Sequence, residues 1–318
     1  MQEERLKVCA ITGPTACGKT ELALRLAREL PVEIVSCDSR KVFRGLDIGT
    51  AKPTPEERRG IGYHLIDVVE PTQNFFVVDF KRLAHAKILE IFRRGSLPIL
   101  EGGSGLYLAS LTYSYNFIGS PPIKSLRNLL GKRFQEEGYE NVLSSILKVF
   151  PEAKREVDVK NPLRMIRFIE KTLGQAEPNK VKKILRQISA EEALDEVITA
   201  QELAKIGNEV REEESPFCVC GYILDVERRT LWKRIRERTE RIYASGLAEE
   251  VTSLLQSGVS EDSQALSGLI YREAVRFVKG EISKDEAIRL TYIRTRQFAK
   301  RQETWNRHQF PQFKKIPY

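Results

Sequence analysis

The sequence predicts an α/β fold, a parallel sheet flanked by helices and carrying a helical insertion domain. Three observations carry that expectation. Over the first hundred residues, short β-rich runs alternate with segments of helical periodicity, as they do where strands and helices alternate along a parallel sheet. The first junction between them, Gly13–Thr20, is Gly-rich. Strand-like runs then stop from about Gly119 to Glu214, and β-like composition returns at Phe217–Leu224, as if the chain rejoined the same sheet.

Each element has its own justification. Lys7–Thr12 is a short apolar run that reads as a buried strand. The helix expected from Lys19 to about Glu29 places Leu22, Leu26 and Leu30 on one face. Val32–Ser36 is a second strand, closed by Cys37-Asp38-Ser39, and Val77–Arg94 repeats Phe80, Leu83, Ile88 and Ile91 at helical spacing. Leu97–Leu100 is another strand, ending at Gly102-Gly103-Ser104-Gly105. Inside the insertion, helices are expected over Ser125–Gly138, Tyr139–Phe150 and Asn161–Leu173, then a variable stretch from Val181 onward. Pro121-Pro122 marks where the insertion begins. The remainder is helical: Arg229–Ala244, stopped near Gly246, then Leu247–Gln256, Tyr271–Lys279 and a long helix from Lys284 to about Arg307. The expected division is a core of residues 1–118 and 215–318 around an insertion domain of 119–214.

Composition narrows the function classes. With 318 residues, 41% apolar and 30% charged, the chain has the balance of an ordinary soluble protein rather than a disordered one. No apolar run approaches the roughly 20 residues needed to span a bilayer. Met1–Arg5 lacks the apolar core of a secretory signal, so a cytoplasmic location is expected. Cys9, Cys17, Cys37, Cys218 and Cys220 form no CxxC pair and have no histidine partners at zinc spacing, which suits reduced thiols. Histidines 64, 85 and 308 are read as structural. The net charge of +8 is concentrated: Ala287–Tyr318 holds eight Lys/Arg and one acid, Glu303. Interleaved with Tyr292, Phe298 and Trp305, that basic stretch fits either a solvated helix face or a surface for a phosphate backbone.

Gly13-Pro14-Thr15-Ala16-Cys17-Gly18-Lys19-Thr20 fits GxxxxGK[ST], between an expected strand and an expected helix. This is the phosphate loop of a P-loop NTPase-like sheet. Its backbone amides and the helix N-terminus favour an anion, Lys19 adds a cation, and the Thr20 hydroxyl suits Mg²⁺. The loop specifies a di- or triphosphate without specifying ATP.

The segment that follows is more particular. Asp38-Ser39-Arg40-Lys41-Val42-Phe43-Arg44-Gly45-Leu46-Asp47-Ile48-Gly49-Thr50-Ala51-Lys52-Pro53 resembles the signature of the tRNA dimethylallyltransferases, or tRNA isopentenyltransferases, of the IPP transferase family. Further similarities run in the family's order through His64–Asp67, Pro98–Tyr107, Asn161–Arg167, Arg234–Leu247 and Phe298–Trp305. The resemblance implies transfer of a dimethylallyl group from dimethylallyl diphosphate to the exocyclic amine of the tRNA adenosine 3′-adjacent to the anticodon. The partners would be that diphosphate and the anticodon stem-loop. The working form expected is a monomer, with no membrane association.

The residue types suit this chemistry. An adenine amine is a poor nucleophile, so a carboxylate that accepts its proton lowers the barrier. Asp38, just beyond the strand next to the phosphate loop, is placed for that, although an Asp-Ser after a strand also caps turns. Pyrophosphate is the leaving group, and its growing charge would be stabilised by Lys19, the loop amides and Mg²⁺ at Thr20. The target base must leave its stack to reach the donor. Resemblance implies that Asp38, Ser39, Arg40 and Lys41 meet it, with Ser104 close by. It also implies that Arg127 and the strip Leu163, Arg164, Met165, Ile166 and Arg167 hold RNA from the insertion domain. Arg234 is the candidate pyrophosphate ligand, with Arg238 or Arg228 as alternatives.

The chain departs from the family pattern at several points. Lys41 stands where the family usually has a Gln that contacts RNA, and Phe43 replaces a Tyr. Ile61-Gly62-Tyr63-His64 falls where a Pro-His-His-like run is common, Glu101 falls where a small apolar residue is common, and Gly268–Glu273 replaces the usual I-G-Y-K-E. Lys41 has two possible partners on this reading, Asp38 or an RNA phosphate. Other functions remain open: prenylation of free adenylate, a P-loop kinase, or a paralogue that binds tRNA without modifying it. The first leaves the insertion and the basic C-terminal helix unexplained, and the second leaves Asp47–Pro53 and the basic tail unexplained.

Overall fold

The computed structural model describes residues 5–113, 123–174, 181, 183–184, 187–188 and 217–318. The chain divides into two compact units, Met1–Tyr115 with Glu214–Tyr318, and Asn116–Glu213.

The first unit holds a six-stranded sheet of β1 (Leu6–Thr12), β2 (Val32–Ser36), β3 (Tyr63–His64), β4 (Leu97–Glu101), β5 (Phe217–Asp225) and β6 (Lys314–Pro317). Their order is β3-β2-β4-β1-β5-β6, and every neighbouring pair is parallel. β1 and β5 are in full register from Leu6↔Phe217 to Thr12↔Ile223, so the chain returns to the sheet beside its own first strand. Alternation along β1 sends Val8 and Ala10 to one face and Ile11 to the other, and both faces are covered. The first face packs α3 (Val77–Arg93), α4 (Gly105–Thr112), α10 (Leu247–Gln256) and α11 (Leu269–Val278) around Phe80, Ile88, Leu108, Val251 and Tyr271. The second packs α1 (Lys19–Glu29) and α9 (Arg228–Ala244) around Leu22, Ile34, Ile99, Leu231 and Ile235. A short α2 (Pro55–Arg58) begins in a capping box, with Thr54 and Glu57 each satisfying the other's backbone amide.

Two sequence expectations are corrected here. Leu30 does not extend the buried stripe of α1. The helix ends at Glu29 and Leu30 is extended, so its side chain leaves the helical period and is 52% exposed. The sequence places residues 314–317 in the basic tail and predicts no strand there. Lys314-Lys315-Ile316-Pro317 instead forms an edge strand, where exposed lysines and a proline are well tolerated.

The last helix, α12 (Lys284–Gln309), starts at Ser283, whose hydroxyl accepts from the Glu286 amide. It buries Ala287, Thr291, Thr295, Ala299, Gln302 and Asn306 along one stripe. Its aromatic residues have separate duties. The guanidiniums of Arg236 and Arg296 lie over the Tyr292 ring, 5.1 and 5.3 Å from its centroid. Trp305 packs on Gly105, where a Cβ would stand 2.2 Å from the indole nitrogen. Lys300, Arg301 and Arg307 remain exposed.

The second unit contains α5 (Lys124–Glu136), α6 (Tyr139–Val149), α7 (Ala153–Glu156) and α8 (Pro162–Gly174) around a separate apolar core that includes Leu126, Ile146, Met165 and Ile169. Pro121-Pro122 and most of the stretch from Val181 lie outside the described residues.

Candidate active site

The loop between β1 and α1 has the backbone its sequence requires. Gly13 (φ 147°) and Gly18 (φ 99°) occupy conformations that side chains disfavour, and Ala16 sits in the left-handed region at φ 63°. A Cβ on Gly13 would also meet the Leu224 carbonyl at 3.0 Å. Lys19 Nζ donates to the carbonyls of Gly13 (3.1 Å) and Pro14 (2.8 Å), holding its charge against the loop.

The turn after β2 brings in Asp38. Its Oδ1 accepts from the backbone amides of Arg40 (2.8 Å) and Lys41 (3.4 Å). One oxygen therefore caps the turn, and Oδ2 has no hydrogen-bond partner among the described residues. The two readings of Asp38, turn cap and proton acceptor, use different oxygens of one carboxylate. Ser104, at the start of α4, accepts from the Ser39 amide at 2.9 Å and so fixes this turn to the end of β4.

Asp38, Ser39, Arg40, Lys41 and Ser104 line one cavity of about 400 Å³ with Thr15, Lys19, Thr20, Glu101 and Arg238. That size suits a small-molecule site. A second cavity, on Ala16, Gly18, Lys19 and Thr20, is lined by Arg28, Arg234, Arg238 and Arg241. Lys19, Thr20, Ala51 and Arg238 belong to both. Arg234 reaches the loop at the Cys17 carbonyl (3.4 Å), and Arg238 reaches the Thr15 hydroxyl (3.3 Å) and the Thr50 carbonyl (3.2 Å). Arg228 is exposed at the start of α9 and lines neither cavity, so the pyrophosphate candidates narrow to Arg234 and Arg238. Cys17 is fully buried, which makes it a packing member of the loop.

The signature Asp47–Pro53 is scaffolding for this site. Glu250 on α10 accepts from the amides of Asp47 (2.9 Å), Ile48 (2.7 Å) and Gly49 (3.3 Å), and the Tyr271 hydroxyl donates to the same carboxylate at 2.6 Å. Gly49 admits no side chain, since a Cβ would lie 2.5 Å from the Tyr271 ring. Lys52 Nζ binds Asp47, Asp67 (2.6 Å) and the Phe43 carbonyl (3.1 Å), so the segment is tied down at both ends and presents Gly49–Ala51 to the first cavity.

Lys41 is a correction. Its side chain is 6% exposed, and its ammonium faces Glu101 Oε2 at 3.6 Å, with the hydroxyls of Thr20 and Tyr63 each at 3.3 Å. The ammonium therefore pairs with Glu101 and not with Asp38, one of the two partners expected for it. Burial pushes the Glu101 carboxyl up. Lys41, Lys19 and the hydroxyls of Tyr63 and Thr20 outweigh that and hold it below the ordinary carboxylate value. Arg40 turns toward the Gln264 carbonyl and the Ser267 hydroxyl, which anchors the Asp38 turn to the loop before α11.

Gln302 was not singled out by sequence reasoning. From the buried stripe of α12 its Oε1 accepts from the Thr15 amide (2.7 Å), and its Nε2 donates to the Gly103 carbonyl (2.9 Å). One side chain thus ties the phosphate loop to the end of β4. The only available signal was its place inside the family-like segment Phe298–Trp305.

In the second unit the expected RNA strip divides by helix face. Met165 and Ile166 are 0% and 5% exposed in the apolar core, so they are packing residues rather than RNA contacts. Leu163 is 72% exposed, and Arg164 is exposed with a 3.6 Å pair to Asp158. Arg127 binds the fully buried Glu170 through two hydrogen bonds of 2.7 and 2.9 Å, and Arg167 reaches the same carboxylate at 3.2 Å. Their first role is to neutralise Glu170.

A parallel sheet with a phosphate loop at its first crossover, a cavity beside it lined by four arginines, Lys19 and the acids Glu21, Glu57 and Glu237, and a carboxylate on the adjoining turn define a phosphate-loop α/β enzyme. The sequence profile of the IPP transferase family matches residues 41–309, and the chain belongs to that family. It is 40% identical to tRNA dimethylallyltransferase 1 of Trichlorobacter lovleyi over 95% of this chain and 90% of that one. It is 38% identical to the tRNA dimethylallyltransferase of Geobacillus thermodenitrificans over 96% and 89%. Among solved structures it is similar to the full-length tRNA isopentenylpyrophosphate transferase of Bacillus halodurans, with a TM-score of 0.65 and 31% identity over 98% of this chain and 89% of that one. A eukaryotic dimethylallyltransferase acting on tRNA shares the fold at a TM-score of 0.70 and 20% identity, covering 98% and 74%.

Proposed function

We infer that this enzyme transfers a dimethylallyl group from dimethylallyl diphosphate to the exocyclic amine of the tRNA adenosine 3′-adjacent to the anticodon, forming N6-dimethylallyladenosine. The observation that carries the reading is the junction of the two cavities at Lys19, Thr20 and Arg238, with the free oxygen of Asp38 beside it. One cavity is an anion site, and the other holds a carboxylate with spare acceptor capacity.

In this reading the pyrophosphate lies on the Gly13–Thr20 loop under Lys19, Arg234 and Arg238. The adenine amine attacks the allylic carbon, the carbon–oxygen bond to pyrophosphate breaks, and Asp38 Oδ2 takes the amine proton. Lys19 and the two arginines then carry the charge that accumulates on the leaving group. An allylic carbon tolerates positive charge, so no covalent enzyme intermediate is needed. The donor set fits Mg²⁺: the Thr20 hydroxyl is a hard oxygen ligand beside phosphate oxygens, the arrangement this ion favours over an all-protein cage. When bound, the ion would neutralise part of the pyrophosphate charge.

The acceptor base would meet Asp38, Ser39 and Ser104. RNA outside the active site would be held by Leu163, Arg164 and Arg167 and by the exposed cations of α12. Arg127 and Lys41 are assigned structural duties instead. A monomer in the cytoplasm is part of the same proposal; among the described residues no helix is long and apolar enough to cross a membrane. The test is incubation with labelled dimethylallyl diphosphate and Mg²⁺ against unmodified tRNA or AMP. Label is expected in tRNA alone. Label in AMP, or in neither acceptor while tRNA still binds, overturns the assignment.

A further inference from the structure

Three positions where the chain departs from its family's pattern, Lys41, Tyr63 and Glu101, are far apart in sequence and meet in one buried cluster. Tyr63 stands in β3, Glu101 ends β4, and Lys41 lies in the turn that leaves β2. Glu101 Oε2 accepts the Tyr63 hydroxyl at 2.5 Å and faces the Lys41 ammonium at 3.6 Å. Its Oε1 accepts from the Thr20 hydroxyl at 3.0 Å. A hydroxyl carries one proton and two lone pairs. Once its proton is given to Glu101, the Thr20 oxygen can act only as an acceptor. An apolar residue at 101 would leave that hydroxyl free to rotate and to point its proton at an incoming cation.

The charges in the cluster depend on one another. A carboxylate at 2% exposure is costly alone, as is an ammonium at 6%, and the two lie within reach only because β2 and β4 are hydrogen-bonded neighbours. The departures are therefore linked. A lysine at 41 without an acid at 101 would be an unpaired buried charge, and so would the acid without the lysine.

We propose that Glu101 is a positioning residue for Thr20: it takes the hydroxyl proton, so that the Thr20 oxygen, which also accepts from the Lys41 ammonium, turns its remaining lone pair and no proton toward a divalent cation on the donor pyrophosphate, and Lys41 balances the Glu101 charge. The proposal rests on Thr20 as the cation-facing hydroxyl. It also changes the acceptor side, because a side chain locked at position 41 cannot read the base as the family's Gln does. Base contact then falls to Asp38, Ser39 and Ser104.

The test is Mn²⁺ titration of the full chain by electron paramagnetic resonance, with inorganic pyrophosphate present and no tRNA. Glu101→Gln removes the charged acceptor. It is expected to weaken Mn²⁺ binding by about tenfold, the low end for losing a partner that orients a metal ligand. Pyrophosphate affinity without metal should change less than about twofold, which a general collapse of the site would not allow. Glu101→Asp, which keeps a charged acceptor where Gln offers only a neutral and weaker one, should recover part of the loss. Unchanged Mn²⁺ affinity in a folded Glu101→Gln protein overturns the proposal. Should that variant fail to fold, Lys41→Gln with Glu101→Val removes both charges, and the same two results decide. Thr20→Val separates the premise from the proposal: if it leaves Mn²⁺ binding unchanged, the assignment of Thr20 itself fails.

Discussion

The phosphate loop and the wall beside it solve the same problem, placing polar groups at a reactive centre, by different means. The loop draws on eight consecutive residues, Gly13–Thr20, and most of its binding capacity is backbone. The wall draws on Lys41, Tyr63 and Glu101 from three different strands or strand ends, and its capacity is entirely side chain. Backbone amides cannot be mutated away, and glycine geometry is set locally. Side chains recruited across a sheet can be exchanged, provided that their charges are exchanged together. That difference explains how this chain keeps its family's phosphate motif intact while altering three positions a few ångströms away.

Perturbations should separate the two regions, and the largest effect belongs to the carboxylate on the turn between them. Asp38→Ala is expected to slow transfer by roughly 10²–10⁴-fold, the usual contribution of a positioned general base. Single-turnover rates with saturating tRNA would measure it, and donor and tRNA affinities should hold. A surviving rate would mean that another group takes the proton.

Next in size is Lys41→Gln, the substitution that restores the family's residue. Taken alone it looks like an improvement, but it strands Glu101 in the interior. Losing one partner of a buried ion pair costs about 3–5 kcal/mol. Denaturant unfolding should show that loss, and adding Glu101→Val should recover most of it. If Lys41→Gln alone were neutral, the wall would not be a coupled unit.

Gln302→Ala should act more gently and on the donor side. It removes the link from the Thr15 amide to the Gly103 carbonyl, about 1–3 kcal/mol of hydrogen bonding. The expected result is a KM for dimethylallyl diphosphate raised by about tenfold with tRNA affinity unchanged. Equal changes in both would place Gln302 in general packing. Smallest is Arg164→Ala. On the proposed function Arg164 contacts an RNA phosphate, so its loss should weaken tRNA binding by a few-fold and lower the salt slope by about one, whereas Met165→Ala should cost stability instead.

Much of the site could be read from the chain itself. GxxxxGK[ST] between a strand and a helix is a local pattern with a local cause, so Gly13–Thr20 needed no structure. Asp38 is a candidate on the same kind of local evidence, its place just past the second strand. The RNA strip was legible only as a stretch. Leu163 and Arg164 face out while Met165 and Ile166 face in, and the motif taken as one block hid the helical period that divides them. Arg234 and Arg238 could not be ranked, because one turn of α9 separates them and only its packing shows which cavity each lines.

What the sequence determined alone is whatever depends on neighbours along the chain: strand–loop–helix order, the phosphate loop, the break into a helical insertion, and the family signature at Asp38–Pro53. What only the tertiary structure decided depends on neighbours through space. Glu101 and Lys41 each looked like an isolated irregularity, and Gln302 like one polar residue among many on a long helix. The parallel order β3-β2-β4-β1 brings the ends of β2, β3 and β4 and the first turn of α1 together. Strand order is set by burial of both sheet faces, a property of the whole chain that no short stretch of residues records.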